Sequence, residues 1–244
     1  MKAVITAGGR VDAAFAAEAG TSIKALAEIR GISMLARTIE ALRACGVNRI
    51  AVVGDSPVRD AVRGRVEAMI EGGETGTHNV MRALRAWPED GDRLLYLTSD
   101  MPYVDAASLR DFIDRSPDEA LTIPLTEYSA FAKRFPNAPP FGIELDGERI
   151  VNGGAFHIPP GGSARLVTFA SAFFEARKAP WKMASLAGPQ LLVRFGLRKL
   201  RIAHVEARAR AVLGIPVAAV RNAAAELAYD ADSADEYRYA RTHW

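Results

Sequence analysis

Apolar residues in the first half of the chain fall into short unbroken runs separated by stretches of helical period, so strands and helices are predicted to alternate. Val4 and Ile5 belong to a buried first strand that runs straight into a glycine turn, Lys2-Ala3-Val4-Ile5-Thr6-Ala7-Gly8-Gly9-Arg10. Ser33 caps a helix on which Leu35, Ile39 and Leu42 share one face and which Gly46 stops. A strand follows at 50–53, a short helix at 59–65, a strand at 66–70, and a helix capped by Thr77 that runs through Trp87 until Pro88 closes it. Residues 93–98 form the next buried strand, Asp105 opens a helix carrying Leu109, Phe112 and Ile113, and 121–124 returns to the sheet. Such βαβ repetition describes a mostly parallel sheet wrapped by helices.

The pattern changes after Tyr128. Residues 128–140 read as a loop rich in proline and aromatic residues, followed by 141–145 and an Asp146-Gly147 hairpin turn that implies an antiparallel addition. After Pro159-Pro160-Gly161-Gly162, helices are expected at 165–177, 181–195 and 204–213. Strands return at 217–220 and near Leu227, and Ser233 starts a last helix. No internal repeat or flexible linker interrupts the chain. The expectation is α/β: one domain over 1–244, a three-layer α/β/α Rossmann-like sheet, with a mainly helical insertion at about 163–213.

Composition narrows the class. With 244 residues, 49% apolar and 25% charged, the chain suits a soluble globular protein with a substantial core. No apolar run approaches the roughly 20 residues that span a bilayer, and the N-terminus lacks a basic-then-apolar leader, so a cytoplasmic protein with no membrane partner is expected. A single cysteine, Cys45, excludes an internal disulfide and reads as a small buried hydrophobe. A net charge of +2 is too small to imply nucleic acid, although the basic stretch at 194–201 suits polyanionic ligands as well as solvated helix faces. The oligomeric state is not encoded in any of these features.

Candidate chemistry concentrates where strands end. Gly8 and Gly9 let the backbone turn sharply and bring amides close to an anion, while a plain tight βα turn explains them equally well. Neither G-x-G-x-x-G nor G-x-x-x-x-G-K-[ST] can be laid over residues 7–24. In Leu97-Thr98-Ser99-Asp100-Met101-Pro102 a buried strand delivers Asp100 to the carboxyl edge, where a carboxylate suits a hard cation such as Mg²⁺. Asp230 and Asp232 alternate along an extended segment and share a face, so one of them can complete a metal pair; Asp235 and Glu236 need only the helix dipole. His78, His157, His204 and His243 lack zinc spacing, and there is no G-x-S-x-G elbow.

Together Ala7-Gly8-Gly9-Arg10, Lys24-Ala25-Leu26, Gly31-Ile32-Ser33-Met34-Leu35, Ser99-Asp100-Met101-Pro102 and Asp230-Ala231-Asp232-Ser233 resemble the MobA-like nucleotidyltransferases, within the wider sugar-phosphate pyrophosphorylase and cytidylyltransferase fold. The resemblance covers most of the chain. It implies a GT-A-type Rossmann-like sheet and transfer of a nucleoside monophosphate from an NTP to a small-molecule phosphate or hydroxyl, with release of pyrophosphate. It further implies that Ala7, Gly8, Gly9 and Arg10 hold the triphosphate, that Lys24 neutralises its α-phosphate region, and that Mg²⁺ lies between Asp100 and Asp232, with Asp230 in a less direct position. Lys24, Arg10 and Asp100 are the catalytic candidates. The segment with Gly76, Thr77 and Asn79 would face the nucleoside, and Asn152-Gly153-Gly154 resembles an acceptor-pocket element, although a turn and a β-bulge account for the same residues. The chain departs from the family between Gly9 and Lys24, where an alanine-rich loop replaces a second arginine. Its helical stretch at 164–200 is also larger than the family core, and Arg177, Lys178 and Lys182 face either an acidic acceptor or solvent. Two other readings stay open: a GT-A glycosyltransferase using a nucleotide sugar, and a non-catalytic nucleotide-binding regulator.

Overall fold

The computed structural model describes residues 1–87, 91–145, 147–176 and 186–244. Strands in chain order are β1 (Lys2–Thr6), β2 (Glu28–Ile29), β3 (Ile32–Ser33), β4 (Ile50–Gly54), β5 (Ala68–Glu71), β6 (Leu94–Thr98), β7 (Leu121–Glu127), β8 (Ile143–Leu145), β9 (Glu148–Asn152), β10 (Ala155–Ile158) and β11 (Val217–Arg221). Between them lie helices α1 (Ala13–Ala19), α2 (Met34–Ala44), α3 (Ser56–Val62), α4 (Gly76–Leu84), α5 (Ala106–Arg115), α6 (Tyr128–Arg134), α7 (Gly162–Ala176), α8 (Pro189–Gly196), α9 (Ile202–Leu213) and α10 (Ala234–Thr242). Nine strands make one mixed, mostly parallel sheet in the order β5-β4-β1-β6-β10-β7-β9-β8, with β11 on β7.

β1, β4 and β6 are apolar on both faces because helices cover both. On one side Ile5, Val52 and Leu97 pack with Leu35, Ile39 and Leu42 of α2 and with Leu109 and Phe112 of α5. On the other, Val4, Val53 and Tyr96 pack with Ala83 and Leu84 of α4 and Ala170 of α7. The three-layer expectation is met. Thr6 pairs in parallel register with Val53 on β4 and with Thr98 on β6. Whatever follows those three strands therefore leaves the sheet at one level.

β9 and β10 both run antiparallel to β7, separated by Gly153-Gly154, where the chain passes from β7 to β6. Gly153 N–H donates to Pro124 O at 3.0 Å, Gly154 N–H to Leu227 O at 2.9 Å, and Gly154 O accepts from Thr98 N–H at 2.9 Å. A Cβ on either glycine would collide with these neighbours. The crossing of the strand thus accounts for the two glycines.

Several elements differ from expectation. The stretch between Arg10 and Lys24 holds a helix, α1, whose N–H at Phe15 is capped by Asp12 Oδ1 (2.8 Å) and which Gly20 ends at φ 68°. Thr75, not Thr77, caps α4, accepting from His78 N–H, and the helix stops at Leu84 before Trp87; Pro88 lies outside the described residues. Helix α3 begins earlier than 59–65, β5 later than 66–70, and α6 occupies the predicted loop. Leu227 ends a 3-10 turn, Ala225–Leu227, instead of a strand. Arg177, Lys178, Lys182, Asp146 and the expected helix start at Trp181 fall outside the described residues. Cys45 caps the end of α2 and is half-buried.

Candidate active site

The register of the sheet brings the glycine turn and Asp100 together. Each lies two residues beyond its strand, Gly8 after Thr6 and Asp100 after Thr98. Ala7 N–H still donates to Val53 O (2.8 Å), so the turn leaves the sheet from a fixed point. Asn79, buried on the first turns of α4, packs its Nδ2 side against Gly8 and accepts Gly73 N–H on Oδ1 at 2.7 Å. One amide thereby clamps two glycine turns.

Lys24 reaches the same edge by a different route. Arg10 and Ile23 form an antiparallel bridge, Val11 N–H donates to Ser22 O (3.1 Å) and Lys24 N–H to Gly9 O (3.0 Å), which closes the base of the α1 excursion. Phe15 of α1 is fully buried and stacks on Tyr237 of α10 at 4.7 Å, so the excursion is fastened to the last helix. The ammonium of Lys24 then bridges two carboxylates, Asp100 Oδ2 at 2.8 Å and Asp232 Oδ1. Asp232 is set by a capping box: Ser233 Oγ accepts Glu236 N–H, while Glu236 Oε2 accepts the N–H groups of Asp232 and Ser233. Ala231 N–H donates to Asp100 O at 2.9 Å and ties the two acidic segments directly.

The electrostatics follow from this crowding. Burial alone would lower the Lys24 pKa, but the Asp100 charge and the hydrogen bonds to Asp100 and Asp232 outweigh it and raise it. Asp230 is driven well above the usual carboxylate range, first by burial and then by Asp100 and Asp232, with Lys24 opposing. One oxygen of Asp100 and one of Asp230, Oδ1 in each, are buried with no hydrogen-bond partner. An acidic pocket with spare oxygen lone pairs and one shared ammonium attracts further positive charge.

Sequence reasoning named most of these residues without foreseeing how they meet. Ala7, Gly8, Gly9, Lys24, Asp100, Asp232 and Asn79 converge on one edge. Arg10 lies on the same edge but is taken up in an ion pair with Asp55, the residue that follows β4. Asp55 was missed, although a residue directly beyond a buried parallel strand is a readable signal. Gly76 and Thr77 stay at the outer first turn of α4, with nothing within 4 Å of a Cβ built on Gly76. Among the described residues no group of three or more His, Cys, Asp or Glu is gathered as a ready metal centre.

Residues 3–228 match the family model of the MobA-like NTP transferase domain. A solved structure described as a hypothetical transferase from Thermus thermophilus is 26% identical, covering 97% of this chain and 100% of its own, with a TM-score of 0.84. Two more distant structures share the fold. CMP:2-keto-3-deoxy-manno-octonic acid synthetase complexed with CTP is 17% identical over 99% of this chain and 98% of its own, TM-score 0.56. Rv0371c of Mycobacterium tuberculosis in complex with manganese is 16% identical over 100% and 98%, TM-score 0.54. No curated protein matches the sequence. Because the family match runs from the first strand past the 3-10 turn that leads into the acidic segment, the chain belongs to the MobA-like NTP transferase family and is a nucleotidyltransferase.

Proposed function

We propose that this protein transfers a nucleoside monophosphate from an NTP to a phosphate or hydroxyl of a small-molecule acceptor, pyrophosphate leaving, and that 1–244 acts as one domain. The observation that carries the proposal is the Lys24 ammonium held between Asp100 and Asp232 beside the Gly8-Gly9 turn. In-line attack at the α-phosphorus needs two anions brought together and the charge on the transferring oxygens stabilised, and no protein nucleophile. Backbone amides of Gly8 and Gly9 hold the β- and γ-phosphates in this reading, and Lys24 neutralises the α-phosphate region. Arg10 joins them only by giving up Asp55. The start of α4 is the nucleoside side, with Gly76 and Thr77 open at its first turn.

The donor set fits Mg²⁺: hard carboxylate oxygens on Asp100 and Asp232, and a buried Asp100 Oδ1 that has no partner. Such an ion would be held by these two residues together with substrate phosphates and water, and it would supply charge neutralisation at the transferring phosphate. Triphosphate competes with the carboxylates for Lys24, so nucleotide and metal are expected to bind cooperatively.

Thermal-shift titration of the four NTPs with and without Mg²⁺ tests this. A nucleotide at a hundred times its dissociation constant stabilises by about 2.7 kcal/mol. The expected result is a base-selective shift that Mg²⁺ enlarges, and that Asp100→Ala abolishes while leaving the unliganded melting temperature close to that of the parent. A Mg²⁺-dependent shift of full size in Asp100→Ala would remove the metal assignment. Turnover of a nucleotide sugar without pyrophosphate release would replace the reaction by glycosyl transfer.

A further inference from the structure

Residues 176–205 contain seven Lys and Arg and no Asp or Glu. Taking those seven from the chain's 31 leaves 24 basic residues against 29 acidic ones, so the remainder of the protein is net −5 while this one segment is +7. Charge segregation of that size along the chain suits an anionic partner, and four of the seven, Arg194, Arg198, Lys199 and Arg201, lie on or just beyond helix α8.

The same segment carries apolar side chains in the open. Helix α8 buries none of its residues. Leu192, Val193, Phe195 and Leu197 are 44%, 59%, 61% and 61% exposed, four of the nine exposed large apolar residues among those described, within six positions. Scattered exposed apolar residues need no explanation, but a cluster rimmed by cations does. Nor is α8 a loose tail. Beyond its C-terminus Leu200 packs into a small core with Leu145, Ile150 and Ile202, and before its N-terminus Leu186 O accepts from Arg208 Nε at 2.9 Å. Both ends are fixed and the middle is presented to solvent.

We propose that residues 189–201 dock this protein on the surface of an anionic lipid bilayer, with Leu192, Val193, Phe195 and Leu197 among the acyl chains and Arg194, Arg198, Lys199 and Arg201 at the lipid phosphates. Long basic side chains reach up to the headgroups from a helix lying in the interface, while the aliphatic side chains sink below them. A second copy is a poorer occupant, because pairing two such faces would oppose Arg194, Arg198, Lys199 and Arg201 to the same four cations, with Glu144 the acid that lines the same hollow as Phe195 and Arg198. Nucleic acid would satisfy the cations and leave the aliphatic residues in water. The expectation of no membrane partner rests on the lack of a spanning apolar run and of a basic-then-apolar leader, neither of which bears on an interfacial helix. Among the described residues no helix is long and apolar enough to cross a membrane, and an interfacial helix does not need to be.

Co-sedimentation of the full chain with vesicles decides the matter. Binding is expected with phosphatidylglycerol mixed into phosphatidylcholine, little with phosphatidylcholine alone, and less as salt is raised. Phe195→Asp should weaken partitioning by more than about tenfold. Arg198→Ala with Lys199→Ala should weaken it about 25-fold, near fivefold for each cation. Both variants should keep the parent's melting temperature and nucleotide-induced shift, since neither touches the site. The proposal is overturned if the parent stays in the supernatant with anionic vesicles, or if Phe195→Asp binds them as well as the parent. It is equally overturned if the parent is a dimer that Phe195→Asp dissociates, or if duplex nucleic acid binds and anionic vesicles do not. None of these outcomes depends on nucleotidyl transfer.

Discussion

Gly8 and Gly9 are neighbours in one turn and meet different surroundings. A Cβ on Gly8 would run into Asn79 Nδ2, whose amide is committed on its other side to Gly73 N–H, whereas a Cβ on Gly9 would make an ordinary 3.7 Å contact with Lys24 Cε. Gly8→Ala should therefore displace Asn79, cost about 1–3 kcal/mol of stability, and abolish the nucleotide-induced thermal shift. Gly9→Ala should change stability by less than about 1 kcal/mol and keep most of the shift. Calorimetry of the two variants with and without NTP compares them, and equal losses would remove Asn79 as the reason glycine is needed at Gly8. At this scale the sequence was informative about identity and silent about contact. A glycine pair after a strand, a lysine, and aspartates at Asp100 and Asp232 can be picked out because their chemistry is rare at strand ends. That Lys24 would bridge both carboxylates, 76 and 208 positions away, depends on how the whole chain folds.

Elements were legible where one face is apolar and a cap is unambiguous. Helix α2, with Ser33 at its start and Leu35, Ile39 and Leu42 on its buried face, and α5, opened by Asp105, fall where the pattern put them. Helix α1 was missed because alanines give no period; Phe15 is its one buried residue, though Asp12 and Gly20 were cap signals in plain view. Phe15 is also the test of whether α1 matters. Fully buried and stacked on Tyr237, it should cost about 3–5 kcal/mol on truncation to Ala, measured by denaturant unfolding. NTP affinity should fall with it, since the excursion ends at Lys24. A second element-scale prediction concerns β10. His157 is buried there, its Nδ1 donating to Ala120 O at 3.0 Å and its Nε2 without a partner. Burial lowers its pKa from the ordinary 6.5, with the Ala120 hydrogen bond opposing. The folded state thus resists the proton. Above pH 6.5 the residue is neutral in both states and has no effect on the pH dependence; as pH falls below 6.5 the unfolded chain protonates first, and stability declines until the native pKa is passed. Unfolding free energies between pH 7 and 5 should drop more steeply for the parent than for His157→Gln, by at most about 1.4 kcal/mol per pH unit; parallel curves would show that another group sets the acid limit.

At the scale of the whole molecule the site lies on a seam between two cores. Gly8 and Asp100 leave the sheet core through β1 and β6, while the segment that ends in Asp232 is mounted on an aromatic cluster assembled from remote parts of the chain, including Phe15, Tyr103, Phe131, Phe135, Tyr229 and Tyr237. Tyr229 is almost fully enclosed there, its ring against Tyr103, Phe131, Phe135 and Tyr239 and its hydroxyl donating to Glu236 O at 2.9 Å. This second core was not legible, because its members follow no shared period and gather only in three dimensions. Its consequence is that the two carboxylates proposed to hold a metal belong to different packing units, joined by Ala231 N–H to Asp100 O and by the Lys24 ammonium. A ligand that contacts only the glycine turn would steady one unit, and a nucleotide with its metal would steady both. Hydrogen–deuterium exchange resolves the two cases. With saturating NTP and Mg²⁺, exchange should slow at residues 7–10 and also at 231–233, while residues 189–196, which carry no proposed nucleotide contact, should be unchanged. NTP without Mg²⁺ should protect 7–10 and leave 231–233 close to its unliganded rate. Equal protection of 231–233 with and without the metal would mean that Lys24 and the triphosphate alone close the seam, and that Asp232 acts as a partner of Lys24 and does not hold the metal.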